Sequence, residues 1–195
     1  MLKQIVNWDI DLFLFLNGNN NCFWDFVMYW LSDKLIWIPL YILLLYFVFK
    51  KYKKQGWIIL ILIAILVTLT DQISVHCFKN VFERLRPCHN PAISHLVHLV
   101  KDHCGGQFGF VSSHAANTFG LATFISFVLS KKVKYIVPLL FLWASVVAYS
   151  RIYLGVHYPL DVICGGILGI AIGVFVFTIF GLIQKAVYKT EPYKA

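Results

Sequence analysis

The chain has 195 residues, of which 59% are hydrophobic and 13% are charged, and its mean hydropathy is +0.73. A soluble domain is nearer half apolar and a quarter charged, so this composition excludes an ordinary soluble protein and indicates a polytopic membrane protein. The formal net charge is +8. Because the lysines lie in short loops between apolar runs and no nucleic-acid-binding motif is present, this charge indicates membrane topology and not a nucleic-acid partner.

The first 33 residues alternate apolar and polar positions. Apolar residues recur near helical spacing with polar residues such as Asp9 between them, which is typical of an amphipathic helix lying in the membrane interface. Residues 17–21 form an asparagine-rich turn, and residues 22–31 predict a second short helix. We therefore expect N-terminal interfacial helices over residues 1–33 and a transmembrane domain over residues 34–195.

Five apolar runs follow, each near the ~20 residues that a transmembrane helix needs. They are residues 35–49, 57–78, 113–129, 135–149 and 162–183. The sequence therefore predicts an all-α, polytopic transmembrane helical bundle with five spans. Lysines cluster after the first span, after the third span and in the C-terminal tail, and these three places hold ten of the seventeen Lys and Arg residues. The positive-inside rule assigns them to the cytoplasm, so the two remaining polar segments, residues 80–111 and 150–161, are expected on the outer side.

The segment 150–161 contains most of the candidate chemistry. His157 and Asp161 are four residues apart, which puts both side chains on one face if the chain is helical there, and Pro159 suits the first turn of such a helix. A carboxylate beside an imidazole orients the ring and stabilises the imidazolium. The far nitrogen of His157 is then a candidate nucleophile or base. Taken alone, the pair could equally be a simple helix cap.

A second cluster lies at the end of the second span. Lys79 and Arg86 are seven residues apart, about two helical turns, and would project from nearly the same face. Pro87 disfavours helix at the preceding residue, so the helix is expected to end at Arg86. Two cations at the end of a span indicate an anionic ligand, although interfacial snorkelling is the alternative explanation.

A third cluster lies where the long loop enters the third span, with Ser112, Ser113 and His114 in succession. Backbone N–H groups and hydroxyls at a helix N-terminus form a ready anion site, and His114 could donate a proton. A serine N-cap with an incidental histidine is the alternative. Together the three clusters offer cations, an anion-binding helix start and two histidines, which suits phosphoryl transfer through a covalent histidine intermediate.

The pattern K-x6-RP, S-x-H and SR-x5-H-x3-D resembles the type 2 phosphatidic acid phosphatase (PAP2) superfamily of membrane lipid phosphatases. Residues 79–87 match the first motif fully and residues 150–161 match the third. The second motif in that family is PSGH, whereas this chain has Val111-Ser112-Ser113-His114, so a proline and a glycine are replaced. The resemblance covers residues 57–183 in motif order and span placement.

The resemblance implies a lipid phosphatase that uses no metal and no cofactor. His157 would attack the phosphorus, Asp161 would orient His157, and His114 would protonate the leaving oxygen and later activate water. The phosphate oxygens would be held by Lys79, Arg86, Arg151, Ser112 and the backbone N–H of Ser113. If that backbone needed positive φ, a serine would be strained; we expect Ser113 to begin a helix without strain.

The expected partner is a phosphorylated lipid, hydrolysed at the periplasmic face of a bacterial inner membrane by a multi-pass protein whose C-terminus is cytoplasmic and which needs no oligomer. Undecaprenyl diphosphate is the first expectation. Lipid A 1-phosphate and phosphatidylglycerol phosphate are the alternatives within the class. A non-catalytic protein that binds or transports a lipid phosphate is the alternative from another class, supported only by the altered second motif.

Three further features carry expectations. Cys88 and Cys104 lie in the long polar loop, where a periplasmic location would permit a disulfide, although the sequence does not give their separation. Glycines recur at every fourth position of the last span, which predicts close helix packing inside the bundle before dimerisation. They are Gly165, Gly169 and Gly173. Asp71, within the second span, is expected to be a buried structural partner.

Overall fold

The computed structural model describes residues 2–130 and 133–190. Over these two ranges the chain is helical with connecting loops and contains no β-strand; one isolated antiparallel bridge pairs Leu85 with Phe108. The α-helices are α1 (Leu2–Gly18), α2 (Cys22–Ser32), α3 (Ile38–Tyr52), α4 (Gly56–Gln72), α5 (Asn80–Phe82), α6 (Ser113–Leu129), α7 (Ile136–Tyr153) and α8 (Pro159–Thr190). A π-helical segment, Ile73–Lys79, joins α4 to α5. The predicted all-α class is confirmed.

Three stretches of the described chain are long and apolar enough to cross a membrane. They are Lys34–Phe82, Ile136–Tyr153 and Pro159–Ala186. The first stretch contains α3 and α4, which are separated by a 3₁₀ turn at Lys53–Gln55 and pack against each other. The helix α6 is 17 residues long. A polytopic membrane bundle is therefore established, and the number of five spans stays a prediction.

The centre of the bundle is α6, which packs against α4, α7 and α8. The contact with α8 is close because the glycines of α8 face the backbone of α6. A Cβ added at Gly165 would lie 2.5 Å from the carbonyl oxygen of Ser112, and one added at Gly173 would lie 2.7 Å from that of Gly120. The prediction that these glycines pack helices inside the bundle is confirmed. One consequence is that the Ser112 N–H donates to the Asp161 carbonyl at 2.9 Å, which joins the start of α6 to the start of α8.

The N-terminal helix α1 packs closely against the body of the bundle. Phe13 is fully buried and its ring contacts the Tyr158 ring edge-on. Asn17 is also fully buried; its amide donates to the Tyr153 carbonyl at 2.8 Å, and its side-chain oxygen accepts from the His98 N–H at 2.8 Å. The division of the chain at residue 33 stays a prediction. These contacts join α1 to the end of α7, next to the segment that holds the candidate chemistry.

The end of the second span differs from the prediction. The helix ends at Phe82, and Glu83 is left-handed with φ 46° and ψ 29°, so the helix does not continue to Arg86. Arg86 is extended, as expected of a residue before proline, and its N–H donates to the Gln107 carbonyl at 3.1 Å. The expectation that Lys79 and Arg86 share a helix face was therefore wrong. The loop, and not a helix face, carries Arg86.

The expectation that Asp71 is buried was also wrong, although Asp71 is close enough to Lys79 to interact with it electrostatically. The Asp71 side chain is half-buried, and no hydrogen bond or ion pair joins it to any residue of the described ranges. The neighbouring Thr70 takes the buried position and contacts the side-chain oxygen of Asn117 on α6. The residue buried between these helices is a neutral hydroxyl, which has a far smaller desolvation cost than a carboxylate.

Candidate active site

His157 lies in the loop between α7 and α8 and is 1% exposed. Its Nδ1 is 3.5 Å from Asp161 Oδ2, and its Nε2 is 3.4 Å from Nη1 of Arg86. Because a guanidinium only donates, the contact with Arg86 favours the tautomer that has its proton on Nδ1. Within the described ranges Nδ1 makes no hydrogen bond, and Asp161 is its ion-pair neighbour. Pro159 begins α8, and the Tyr158 N–H donates to Asp161 Oδ2 at 3.0 Å, which fixes the carboxylate in the first turn.

The surroundings of His157 favour its neutral form. Burial lowers the pKa of the imidazole well below its ordinary value of 6.5, and the positive charges of Arg86 and Arg151 lower that pKa further. Both effects favour the neutral imidazole, which is the form that can act as a nucleophile.

Three cations surround the same point from different elements. Arg86 comes from the loop and is 9% exposed, while Arg151 comes from the last turn of α7 and contacts the Ser32 hydroxyl. Lys79 comes from the π-helical segment and donates to Ser113 Oγ at 2.7 Å. Within the described ranges the buried Nε atoms of both arginines lack a hydrogen-bond partner. Buried unpaired donors of this kind are suited to an anion.

The start of α6 presents the second motif. Ser112 is the N-cap, and its hydroxyl accepts from the Ala115 N–H at 3.5 Å. Ser113 is the first helical residue and is not among the residues with positive φ, so the serine that stands in place of the family's glycine is unstrained. Its hydroxyl is the partner of Lys79, a contact that glycine could not make. The side chain of His114 is exposed.

Two cavities meet at His114. A mainly apolar cavity of about 540 Å³ runs between α3, α4, α6 and α7, past Trp37 and Trp143. A more polar cavity of about 360 Å³ contains Arg151 and His103. Ser32, Lys34 and His114 line both cavities. This arrangement suits an amphiphile whose apolar chains and polar headgroup occupy adjoining spaces.

The eight residues predicted from the sequence form one connected group. Lys79 contacts Ser113, Arg86 contacts His157, His157 faces Asp161, and His114 and Arg151 line the polar cavity together. Ser112 joins the group through its N–H bond to the Asp161 carbonyl. The structure therefore brings the three sequence clusters to one place, although their chemical roles stay proposals.

Two residues next to this group were not predicted. Arg84 Nη1 donates to Asp161 Oδ1 at 2.8 Å, and Arg84 Nη2 donates to Asp9 Oδ2 at 2.6 Å. Asp9 is 4% exposed. Arg84 occupies one of the unspecified positions of the first motif, and Asp9 belongs to the predicted interfacial helix, so no motif pointed to either residue. The one feature that distinguishes Asp9 from the other polar residues of this helix pattern is its burial, which the amphipathic pattern did not predict.

The loop that carries Arg86 is closed by a disulfide. Cys88 and Cys104 are bonded, with a Cα–Cα separation of 6.0 Å. His89 lies between them and contacts the Gly105 carbonyl at 3.2 Å. These three side chains are of metal-ligating types, but both thiols are used in the disulfide. The bond closes the loop immediately after Arg86 and limits the conformations that this part of the chain can adopt when unfolded.

A buried neutral histidine, a carboxylate behind it, three convergent cations and an adjoining apolar cavity define the site of a membrane lipid phosphatase. The comparison with protein families agrees, because residues 56–185 match the model of the PAP2 superfamily. The chain belongs to the PAP2 superfamily. The matched segment begins with α4 and contains all three motifs.

Individual relatives make the comparison sharper. The chain is 38% identical to a lipid A 4′-phosphatase of Bacteroides thetaiotaomicron, over 87% of this chain and 75% of that protein. It is 36% identical to a lipid A 4′-phosphatase of Porphyromonas gingivalis, over 92% of this chain and 75% of that protein. Among solved structures, Aquifex aeolicus LpxE superposes with a TM-score of 0.62 at 27% identity, covering 87% of this chain and 94% of that one. This protein is a bacterial membrane phosphatase that acts on a phosphorylated lipid.

The relatives correct the expected order of substrates. An undecaprenyl-diphosphatase of Sulfolobus acidocaldarius is 30% identical over 86% of this chain, which is a more distant relationship than either lipid A 4′-phosphatase. Undecaprenyl diphosphate was the first expectation from the sequence, and the lipid A alternative is better supported, although that alternative was the 1-phosphate and both relatives are named for the 4′ position. The three motifs indicated the superfamily and did not distinguish between these substrates.

Proposed function

We propose that this protein removes phosphate from lipid A, at the 4′ position. The observation that carries the proposal is the identity of 38% and 36% to two lipid A 4′-phosphatases over most of the chain. The two adjoining cavities support it, since an acylated sugar phosphate needs an apolar space of several hundred Å³ next to a polar one. The phosphate would enter where His114, Arg151 and His157 converge.

In the first step, Nε2 of His157 attacks the phosphorus and the bond from phosphorus to the sugar oxygen breaks. His114 protonates that oxygen, which leaves as the sugar hydroxyl. The phosphoryl group is then covalently bound to His157, and the positive charge that develops on the ring faces Asp161. Lys79, Arg86 and Arg151 would stabilise the phosphoryl oxygens, with the α6 N-terminus opposite.

In the second step, His114 takes a proton from water and the resulting hydroxide attacks the phosphorus. The P–N bond breaks, inorganic phosphate leaves, and His157 returns to its neutral form. His114 lines both cavities, which places it where the leaving oxygen and the attacking water would lie. The deeper His157, at 1% exposed, is suited to a nucleophile that must be free of competing water.

The positive-inside pattern supports a site on the periplasmic side of the inner membrane and a cytoplasmic C-terminus. The disulfide is consistent with this orientation because stable disulfides belong to oxidising compartments. Residues 34–195 would hold the phosphatase domain, with the N-terminal helices lying beside the site.

The proposal is tested by incubating the detergent-purified protein with lipid A that is phosphorylated at both the 1 and the 4′ positions, with EDTA present. Mass spectrometry of the product gives the position from which phosphate was lost. We expect loss at the 4′ position in the wild type and none in His157→Ala. Loss from the 1 position only would replace the 4′ assignment with the 1-phosphatase alternative.

Undecaprenyl diphosphate and phosphatidylglycerol phosphate serve as comparison substrates at matched detergent ratios. A higher kcat/KM for either than for lipid A would overturn the lipid A assignment and restore one of the other substrates. The same His157→Ala protein is run on every substrate, so that a contaminating phosphatase is recognised by its persistence in the variant.

A further inference from the structure

Arg84 bridges two buried carboxylates that come from opposite ends of the chain. One guanidinium nitrogen donates to Asp161 at 2.8 Å and the other donates to Asp9 at 2.6 Å. The exposed fractions of the two carboxylate side chains are 0% and 2%. The guanidinium carbon also lies over the Tyr158 ring, 4.1 Å from the ring centre. Its position is thus fixed from three sides.

This bridge would weaken the negative charge that Asp161 presents to the His157 ring. A carboxylate behind His157 is useful in the reaction because its negative charge stabilises the cationic ring that forms on phosphorylation. An arginine in direct contact with that carboxylate cancels most of its charge as seen by the ring. Arg86 and Arg151 already surround the ring with positive charge. A weaker negative charge at Asp161 would therefore destabilise the cationic ring considerably.

Asp9 restores a net negative charge behind the ring. With Asp9 bound to the other side of Arg84, the three groups together have a net charge of −1 instead of zero. Burial makes the effect large, since charges separated from solvent are little screened. Asp9 also accepts a hydrogen bond from the Leu160 N–H at 2.9 Å, which directs its carboxylate to the start of the helix that carries Asp161.

We propose that Asp9, on the N-terminal helix outside the family motifs, is a positioning residue for the phosphatase reaction, which acts through Arg84 to keep Asp161 oriented and effectively anionic behind His157. The role differs from that of a structural anchor for α1, which is served by Phe13 and Asn17 one and two turns further on. The inference rests on the proposed assignment of His157 as the nucleophile.

The decisive variant is Asp9→Asn, which removes the charge and keeps an oxygen that can accept from the Leu160 N–H. We expect kcat on lipid A to fall on the order of tenfold, the equivalent of one pKa unit of lost charge stabilisation. KM should change by less than about twofold, because Asp9 is not among the residues that line the two cavities. Asp9→Glu, which retains the charge, should recover most of the loss.

Two control variants separate this role from a purely structural one. Asp11→Asn removes an exposed carboxylate from the same helix and should leave kcat unchanged. Asn17→Ala loosens the docking of α1 without any change of charge. It should lower the melting temperature and leave kcat within about threefold when assayed well below melting. An equal loss of kcat in Asn17→Ala at matched destabilisation would overturn the proposal.

A double-mutant cycle tests the route through Arg84. In an Arg84→Met background, Asp9→Asn should have no further effect on kcat, because there is no longer a cation to balance. An undiminished effect would overturn the proposed route, as would a kcat within twofold of wild type for the single variant Asp9→Asn.

His157→Ala is assayed in parallel. If this variant retains activity, the nucleophile assignment has failed, and that result is distinguishable from a failure of the inference on Asp9.

Discussion

The α6–α8 pair and the N-terminal helix α1 meet at the same active site but are held there by different means. The α6–α8 contact depends on the absence of side chains, with glycines of α8 against the carbonyls of α6. The docking of α1 depends on the buried ring of Phe13 and the buried amide of Asn17, whose partners are far away in sequence. The first kind of contact leaves a repeating sequence pattern, and the second does not.

This difference explains what a motif can and cannot reveal. The three motifs contain the groups that we propose to hold the phosphate, and these groups could be selected from residue types, spacing and the family resemblance. The groups that set the charge behind the nucleophile come partly from α1, where a single aspartate in an amphipathic pattern looks like an exposed polar residue. We expect substitutions in the motifs or in the α6–α8 contact to cause large losses of activity or stability. Substitutions in α1 should cause smaller losses.

The largest effect is expected in the motif region itself. His157→Ala should lower kcat by roughly 10⁴-fold or more, because the covalent route is lost and only phosphate binding remains. The matched control is His95→Ala, which removes an exposed histidine of the long loop and should keep wild-type activity. Both proteins should have wild-type melting temperatures in detergent within a few degrees. Comparable activity in the two variants would contradict the assignment of the nucleophile.

The packing of α6 on α8 gives the next effect. Gly169→Leu places a large side chain against the backbone of Ala116 and should destabilise the bundle by about 3 kcal/mol or more. Gly181→Leu, on the same helix, has nothing within 4 Å of its added Cβ and should be close to neutral. Thermal unfolding and size-exclusion profiles in detergent measure both. Equal stability of the two variants would show that the glycine stripe does not hold these helices together.

A smaller loss of stability is expected in the N-terminal region. Asn17→Ala leaves the Tyr153 carbonyl and the His98 N–H without their partner and should cost about 2 kcal/mol. Asn19→Ala, at an exposed position of the following turn, should cost less than about 0.5 kcal/mol. If both substitutions left the stability unchanged, the polar contacts of Asn17 would not hold α1 on the bundle.

The smallest effect concerns the pH dependence of kcat/KM. The depressed pKa of His157 means that its inactive, protonated form accumulates only at low pH, so the acidic limb should lie below pH 6.5. The charged or titratable groups that face the ring are Arg86, Arg151, Lys79, His114 and Asp161. Removing a cation in Arg86→Gln should raise the pKa of the ring and move the limb to higher pH.

Titration of the substrate phosphate is common to both proteins, so the difference between their profiles isolates the enzyme group. An unmoved or downward-shifted limb in Arg86→Gln would mean that another group controls the acidic side of the profile. Arg86→Gln also binds phosphate more weakly, so its rates are compared as normalised profiles and not as absolute values.

Much of the fold followed from hydropathy, because a helix that crosses lipid must be apolar and close to a fixed length. The start of α8 at Pro159 and the start of α6 at Ser113 were predictable from proline and serine chemistry at helix N-termini. The end of the second span was not, because the left-handed Glu83 ends the helix four residues before Arg86. Nothing in the local sequence distinguishes that ending from the one that Pro87 predicts.

Contacts between residues that are far apart in the sequence could not be predicted either. The sequence shows that Arg84 is charged, but not that its two ends reach Asp9 and Asp161, which are separated from it by 75 and 77 residues. Asp71 shows the reverse error, since a carboxylate inside an apolar run was expected to be a buried structural partner but is only half-buried and makes no hydrogen bond or ion pair within the described ranges. Pairings of this kind depend on tertiary packing, which local periodicity does not encode.

The most direct test of the account is to trap the covalent intermediate. Lipid A labelled with ³²P at the 4′ position is mixed with wild-type protein and quenched within milliseconds to seconds in alkali, in which a phosphohistidine survives. The account predicts a stoichiometric burst of label on the peptide that contains His157, and no label in His157→Ala. Turnover that proceeds with no label on the protein, or with label on another residue, would contradict it.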